Sequence, residues 1–432
     1  MFELLTPTQM GQADQLTIDG GTPGIELMES AGHVLMETIT KHFVQAQRIL
    51  VLCGPGNNGG DGYVVARLLS KTGRRAEVYS PMGTHNLSGD ALLAFQALPA
   101  DVLQVGDPQW TSYDLIVDAL FGAGLTRDIE GRLARIVRSV NLSPAKVLAV
   151  DLPSGVNGAT GRLCGKAVIA DATATFFRYK PGHFLFPGRS HCGKTEVGQI
   201  GIENSVLAEI GVDTFRNVPE FWQQYFPVGP INRGSPGSGA QAVPDLHQAD
   251  NLHPFLDLAS FDGNGDQLVD WIQGFGRDLA IASSQQQILS LFPQWNPSAS
   301  KLHLARAAAR ELDTIINLSG PDIIIAGGDR GDRGDRDGSY DEDRGSEGWA
   351  SITENDRPGL SPTMDSDLLG SLIGDLCQHE MPRFVAVCAA VWIQLEASNL
   401  LASGGVSGDM EQAVNSVIAA IQSEMLESKQ CL

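Results

Sequence analysis

The chain has 432 residues, 42% of them hydrophobic, enough to bury more than one core; about two or three domains are expected, and a wholly disordered chain is excluded. Its 51 acidic against 30 basic residues give a formal charge of -21, which repels phosphate backbones and anionic lipid and argues against nucleic acid or membranes as partners. The same field disfavours a dinucleotide, so any phosphate must be held locally, by backbone N–H groups or a helix N-terminus in a glycine-rich turn. The six cysteines, Cys53, Cys164, Cys192, Cys377, Cys388 and Cys431, form no CxxC pair, and are expected as free thiols in a reducing, cytoplasmic setting. The opening MFELLTPTQM lacks a basic, then apolar, leader, and no run reaches the roughly 18 apolar residues of a membrane span.

Residues 1 to 227 alternate apolar runs, turn clusters and helix-like stretches, the pattern of an α/β domain with a mainly parallel sheet between two helix layers. Gln47 to Cys53 reads as a buried strand, Asp61 to Lys71 as a helix and Ala76 to Tyr79 as the next strand of a βαβ unit. Asp114 to Asp118 and Lys146 to Asp151 are apolar strands closed by aspartate and followed by ALFGAGL and LPSGVNGATG; a weaker strand lies near Ala172 to Phe176. Residues 228 to 254, rich in Gly, Pro, Ser and Gln, read as a linker, and 255 to 432 as a second domain. Within it, Lys301 to Leu312 and Pro382 to Ala402 have helical spacing and Thr314 to Ala326 is β-rich. The Gly-Asp-Arg repeats of residues 327 to 348 are expected to form a solvated, disordered loop.

The turn Gly54-Pro55-Gly56-Asn57-Asn58-Gly59-Gly60-Asp61-Gly62 follows a strand and opens a helix, so its N–H groups can face a phosphate. It matches GxGxxG formally, with Glu77 where a ribose-binding acid sits in such folds. A tight structural turn also needs glycine, but it has no use for two asparagines and an aspartate over the sheet. Asp118 and Asp151 close their strands at the carboxyl edge, where open α/β sheets bind ligands; a helix cap is the plain reading of each alone. Oxygens of Asn58, Asp118 and Ser154 would suit a hard cation.

Taken together, GPGNNGGDGYVVARLL, DALFGAGL, DLPSGVNGATG and KPGHFLFPGRSHCG before VGQIGI, with QMGQAD and GIELMESAG ahead of them, resemble the YjeF N-terminal family of NAD(P)H-hydrate epimerases over nearly all of residues 1 to 205. The resemblance implies a Rossmann-like three-layer domain, an isomerase that interconverts the R and S epimers of NADHX and NADPHX, and a homodimer. It implies substrate contacts at Asn57, Asn58, Gly59, Gly60 and Asp61, and a diphosphate-cradling loop of Gly122, Ala123, Gly124, Leu125, Thr126, Arg127 and Asp128. It further implies one potassium ion at Asn58, Asp118 and Ser154, and Asp151 facing the nicotinamide as the catalytic acid or base. Whether burial raises the Asp151 pKa or a cation depresses it stays open at this level. Lys180 is read as a solvated surface lysine, with contact to an anionic ligand as the alternative.

From about residue 255 the chain faintly resembles the later part of the ADP- or ATP-dependent NAD(P)H-hydrate dehydratase domain, a ribokinase-like fold, here shortened. FDGNGDQL (Phe261 to Leu268) resembles that family's Asp-Ala-Asp strand end, and ARAAARELDTIINLSGPDIIIAGGD its helix-strand-strand stretch. The nucleotide-binding positions depart from it. ASSQQQ (Ala282 to Gln287) replaces Thr-Pro-His-Pro-Gly-Glu, and Ser319 replaces a lysine. RPGLSPTMDSD (Arg357 to Asp367) keeps Asp367, the candidate base of that reaction, but loses three glycines of an anion-binding nest to Thr363, Met364 and Ser366. ADP or ATP is a ligand only if this domain is active; the expected reading is that it is not. The alternatives are a bifunctional repair enzyme and a non-catalytic dinucleotide- or protein-binding module.

Overall fold

A computed structural model describes residues 1–229, 231, 255–275, 279–295, 300–327, 348–354, 365–404 and 409–430. It divides into two compact units, Glu3–Val212 and Asp213–Leu432, the latter joined by Met1–Phe2.

In the first unit two helices, α1 (Pro7–Asp19) and α2 (Gly24–His42), precede β1 (Arg48–Cys53), α3 (Asn57–Ser70), β2 (Arg75–Tyr79), α4 (Gly89–Gln96), β3 (Leu103–Gln104), β4 (Leu115–Ala119), α5 (Gly131–Leu142), β5 (Lys146–Val150), β6 (Ala172–Phe176), α6 (Arg189–Cys192), β7 (Lys194–Gly198) and α7 (Val206–Ile210). The seven strands form one sheet in the order β3-β2-β1-β4-β5-β6-β7, every pair parallel. Parallel strands covered on both faces read as continuous apolar runs, as RILVLC and KVLAV do. Ile49, Val51, Val117, Leu148 and Val150 pack with α2 and α3 in one layer, while Leu50, Leu52, Ile116, Val147 and Ala149 pack with α5 in the other. In α5, Ile136, Val137 and Val140 form the buried stripe of an otherwise basic helix. Each fully buried aliphatic side chain contributes about 1.5–3 kcal/mol.

The second unit contains β8 (Thr214–Arg216), α8 (Pro219–Trp222), β9 (Phe255–Asp257), α9 (Gly265–Phe275), β10 (Ala280–Ser284), α10 (Gln285–Leu291), α11 (Lys301–Glu311), β11 (Ile315–Ser319), β12 (Asp322–Gly327), β13 (Trp349–Glu354), α12 (Ser366–Gln378), α13 (Arg383–Ala402) and α14 (Met410–Gln430). Its six-stranded sheet, β8-β13-β12-β11-β10-β9, is mixed, with β12 antiparallel to both neighbours. Both units are therefore α/β, and the helix-strand-strand expected after residue 301 is α11-β11-β12.

The boundary expected between residues 227 and 228 is displaced to residue 213, because Thr214–Arg216 pairs with Ala350–Ile352 and Trp222 is fully buried, donating its indole N–H to Asn217 at 3.1 Å. Apolar patterning runs unbroken across this point, so composition does not mark it. FDGNGDQL is not a strand end: β9 stops at Asp257, and α9 begins at Gly265. Most of the proposed linker and residues 328–347 of the Gly-Asp-Arg segment lie outside the described residues. Helix α13 is apolar and long enough, on mean hydropathy, to cross a membrane, which counting uninterrupted apolar runs missed; 67% of that stretch is buried in the unit, as in the core helix of a globular domain. Among the described residues, Cys53, Cys164, Cys192 and Cys388 form no disulfide.

Candidate active site

Strand order in the first sheet reverses between β1 and β4, so the loops after these strands part and leave a crevice at their carboxyl ends. Gly54 and Gly59 let that crevice form. A Cβ on Gly54 would stand 1.9 Å from the Leu120 carbonyl oxygen, and one on Gly59 1.9 Å from the Gly54 oxygen. Only bare backbone lets the loop cross so closely. Helix α3 starts at Asn57 behind Gly56, whose extended backbone brings no side-chain cap, so the first N–H groups of the helix are left for a ligand.

At the end of β5, Asp151 adopts φ 63°, and the Leu152 N–H bonds back to the Val150 carbonyl at 2.8 Å, closing a γ-turn. The neighbouring strand ends alike: Phe177 has φ 58° and the Arg178 N–H reaches the Phe176 carbonyl at 2.6 Å. Such backbone costs of order 1–3 kcal/mol and persists only where surroundings over-determine it. At Asp151 they do. Its N–H donates to Ala174 and its carbonyl accepts from His183 Nε2 at 2.8 Å. Oδ1 takes the Lys180 ammonium at 2.7 Å and the Thr175 hydroxyl at 2.9 Å, and Oδ2 takes the Ala123 N–H at 2.8 Å. Lys180 is buried and also reaches Thr175 Oγ1 at 2.8 Å.

Burial pushes the Asp151 carboxyl upward, but the Lys180 charge and hydrogen bond and the Ala123 N–H outweigh it and hold its pKa at about 2. His183 accepts the Lys180 N–H on Nδ1, which leaves Nε2 as the donor to Asp151; burial and the Lys180 charge lower its pKa to about 4, so it stays neutral. Asp61 moves oppositely: burial, then the Asp151 and Asp14 charges, raise it far above the carboxylate range against the pull of Lys180.

Asp118 is fully buried. Oδ2 accepts the Ser154 N–H at 2.8 Å and Oδ1 the Ser154 hydroxyl at 2.7 Å, while Ser154 Oγ accepts the Phe121 N–H at 2.9 Å. No basic side chain among the described residues pairs with it, and burial, only partly offset by Ser154, raises its pKa to about 6. Next to Phe121, Gly122 joins the two groups: a Cβ there would lie 2.9 Å from both Asn58 Oδ1 and Asp151 Oδ2. The β1, β4 and β5 loops therefore meet at one point. They line a cavity of about 630 Å³ closed by α1 and α2, with Asn57, Asn58, Asp61, Gly122 to Arg127, Asp151 and Lys180 in its wall.

The model of the YjeF-related protein N-terminus family matches residues 24–182. The NAD(P)H-hydrate epimerase of Limosilactobacillus fermentum is 38% identical over 200 residues, 45% of this chain and 95% of that protein. The chain belongs to the YjeF N-terminal family. It is also similar to the bifunctional NAD(P)H-hydrate repair enzyme Nnr of Coxiella burnetii, 34% identical over 233 residues, 53% of this chain and 47% of that protein. The chain spans about half the length of the bifunctional relatives it matches. The crystal structure of the yeast protein ynu0 is similar at 22% identity and a TM-score of 0.41, covering 48% of this chain and 93% of that one.

In this YjeF N-terminal domain the expected turn and loop residues share one cavity wall, apart from Gly59, Gly60 and Asp128; the two glycines are buried against Gly54 and Met28 at the turn, and Asp128 is an exposed flank. Asp118 and Ser154 sit directly beneath the wall, bonded to each other. Glu77 is not a ribose ligand: it is buried, paired with Arg75 at 2.9 Å and Arg48 at 3.3 Å, and accepts the Tyr113 hydroxyl at 2.6 Å. Lys180 is not a solvated lysine, since burial and the Asp151 ion pair make it part of the site floor. Sequence reading missed Asp14, Thr175 and His183. For the first, a usable signal existed: Met10, Asp14 and Ile18 are spaced four apart on α1, and a carboxyl interrupts that stripe.

The second unit's motif positions are occupied differently. Ser284 caps α10 through the Gln287 N–H at 3.2 Å, with the Gln287 side chain returning to the Ser284 N–H at 2.8 Å. Ser319 donates to the Ser283 carbonyl at 3.2 Å. Asp367 is exposed in the first turn of α12; the cap is Asp365, which accepts the Leu368 N–H at 3.0 Å.

Proposed function

We propose that the first unit is an NAD(P)H-hydrate epimerase that interconverts the R and S forms of NADHX and NADPHX. The observation that carries this is the meeting of Asn58, Gly122 and Asp151 in one cavity whose rim includes a free helix N-terminus. That end suits the diphosphate in an otherwise acidic protein, and the carboxyl-lined floor suits the hydrated ring.

The ring carbon to be inverted carries a hydroxyl and a ring nitrogen. Breaking its C–O bond with help from the nitrogen lone pair gives a planar cation that water can rejoin from either face. Asp151, ionised and oriented on both oxygens, is placed to stabilise that cation. Lys180 and His183 fix its orientation.

Potassium fits the donor set beneath the wall. Among the described residues, Asp118 is a buried carboxyl without a basic partner, and Asn58 Nδ2 is buried and unpartnered, in an amide that can present its oxygen there by turning about its last bond. Asn58, Asp118 and Ser154 would hold the ion. When bound it supplies a fixed positive charge that offsets Asp118 and the diphosphate.

We read the second unit as a shortened, ribokinase-like relative of the dehydratase domain that has lost its reaction, since the positions resembling nucleotide contacts are taken up by caps and strand-end bonds. Incubating the full chain with one pure NADHX epimer and separating the epimers chromatographically tests the first reading; equilibration about a hundredfold faster than in buffer is expected, and the buffer rate refutes it. Supplying S-NADHX with ADP or ATP tests the second: no NADH absorbance should develop.

A further inference from the structure

Helix α1 offers the cavity a single polar group. Met10, Asp14 and Ile18 succeed one another at four-residue spacing along its cavity-facing stripe, so a carboxyl stands between a thioether and an aliphatic chain. The fold has no use for it: no hydrogen bond or ion pair engages its oxygens among the described residues. Asp151 is the reverse, with Lys180, Thr175 and the Ala123 N–H taking up its oxygens. A carboxylate so engaged is a poor proton donor, and an unengaged one at an apolar wall is a good one.

Three carboxyls, Asp14 from α1, Asp61 from α3 and Asp151 beyond β5, share the cavity with one buried ammonium, Lys180; Asp90 of α4 is the further acid in the wall. With Asp151 matched to Lys180, further ionised carboxyls in this space repel it and one another. Burial, opposed by Lys180 and reinforced by Asp151, accordingly raises Asp14 to about 6.

We propose that Asp14 is the proton donor of the epimerisation, handing its proton to the departing ring hydroxyl while Asp151 remains ionised throughout. This rests on the epimerase reading given above. The carboxyl proton moves to the hydroxyl oxygen, and the C–O bond breaks with its electron pair leaving on water. The nitrogen lone pair closes a C=N bond, so the ring becomes cationic as Asp14 becomes a carboxylate. Water then bonds to the opposite face, the electron pair returns to nitrogen, and the released proton restores the Asp14 carboxyl. No atom or electron is gained or lost over the cycle. The acid is thereby recharged in place.

The test compares the full chain with Asp14→Asn, Asp14→Glu and Asp61→Asn, each checked by thermal unfolding, following epimer exchange across pH 5 to 9 with the buffer rate subtracted. Asp14→Asn should lower kcat by about 100- to 1000-fold with KM within about threefold. It should also abolish the fall in kcat/KM that the natural chain shows as pH rises above the Asp14 pKa, and Asp14→Glu should retain that fall. Asp14→Asn activity within about threefold of the natural chain, a change in KM alone, or loss of the alkaline limb in Asp61→Asn instead overturns the proposal. If the natural chain itself brings one pure epimer to the equilibrium mixture no faster than buffer does, the epimerase reading fails first; if it is active and Asp14→Asn is too, only the proton-donor assignment fails.

Discussion

The two units are both α/β, yet they treat the ends of their strands differently. In the first, the loops after β1, β4, β5 and β6 run into one another and leave polar groups facing a cavity: an uncapped helix N-terminus, a buried amide nitrogen, a carboxyl on an apolar stripe. In the second, Ser284 closes a capping box and Ser319 bonds to the neighbouring strand. Among its described residues, Asn317 leaves both amide atoms without a partner in the middle of β11 rather than at a strand end. A ligand site is thus recognised by what the fold leaves unfinished at a rim, and polar residues alone do not mark one.

The hardest blow to this contrast is Asp151→Asn. It should cut epimer exchange by 10²–10⁴-fold and leave Lys180 buried without its partner, costing about 3–5 kcal/mol; chromatography and urea unfolding of the first unit would read both. Gly59→Ala comes next, because its Cβ would meet backbone at Gly54 that cannot yield, at an expected cost of about 3 kcal/mol. In the second unit, Asp322→Asn removes the partner of Lys301, which it contacts at 2.8 Å; a loss of about 3 kcal/mol confined to that unit's transition, with epimer exchange unchanged, would keep the units functionally separate.

Acid sharpens the comparison within the site. The Asp151 pKa is depressed, so its stabilising contribution is present above its ordinary value near 3.8 and is lost as pH falls through about 2. The Asp14 pKa is raised, so its cost appears between about pH 4 and 6 and persists above. Asp14→Asn should therefore raise stability at pH 7 by an amount of order 1 kcal/mol and have little effect at pH 4, measured by thermal unfolding at both. The smallest change is Gly56→Ala, where a Cβ meets nothing within 4 Å and an effect under about 1 kcal/mol is expected.

Most of the first sheet was legible, since buried parallel strands are bare apolar runs and their ends carry the glycines and acids that face the ligand. What escaped depended on contacts distant in sequence. Lys180 looks solvated until strand order brings Asp151, 29 residues earlier, to within 2.7 Å of it. His183 is invisible for the same reason. Glu77 stands at the right spacing for a ribose ligand, yet Arg48 and Arg75 claim it inside the sheet. The switch from one sheet to the other at residue 213 left no mark in composition, because apolar residues continue on both sides of it.

The claim that four loops form one ligand site is open to hydrogen–deuterium exchange on the full chain with and without saturating NADHX. Protection should appear together in residues 54–62, 120–127 and 151–155 and at Lys180, and be absent from the second unit. Protection confined to the second unit, or reaching only one of those loops, would contradict the account.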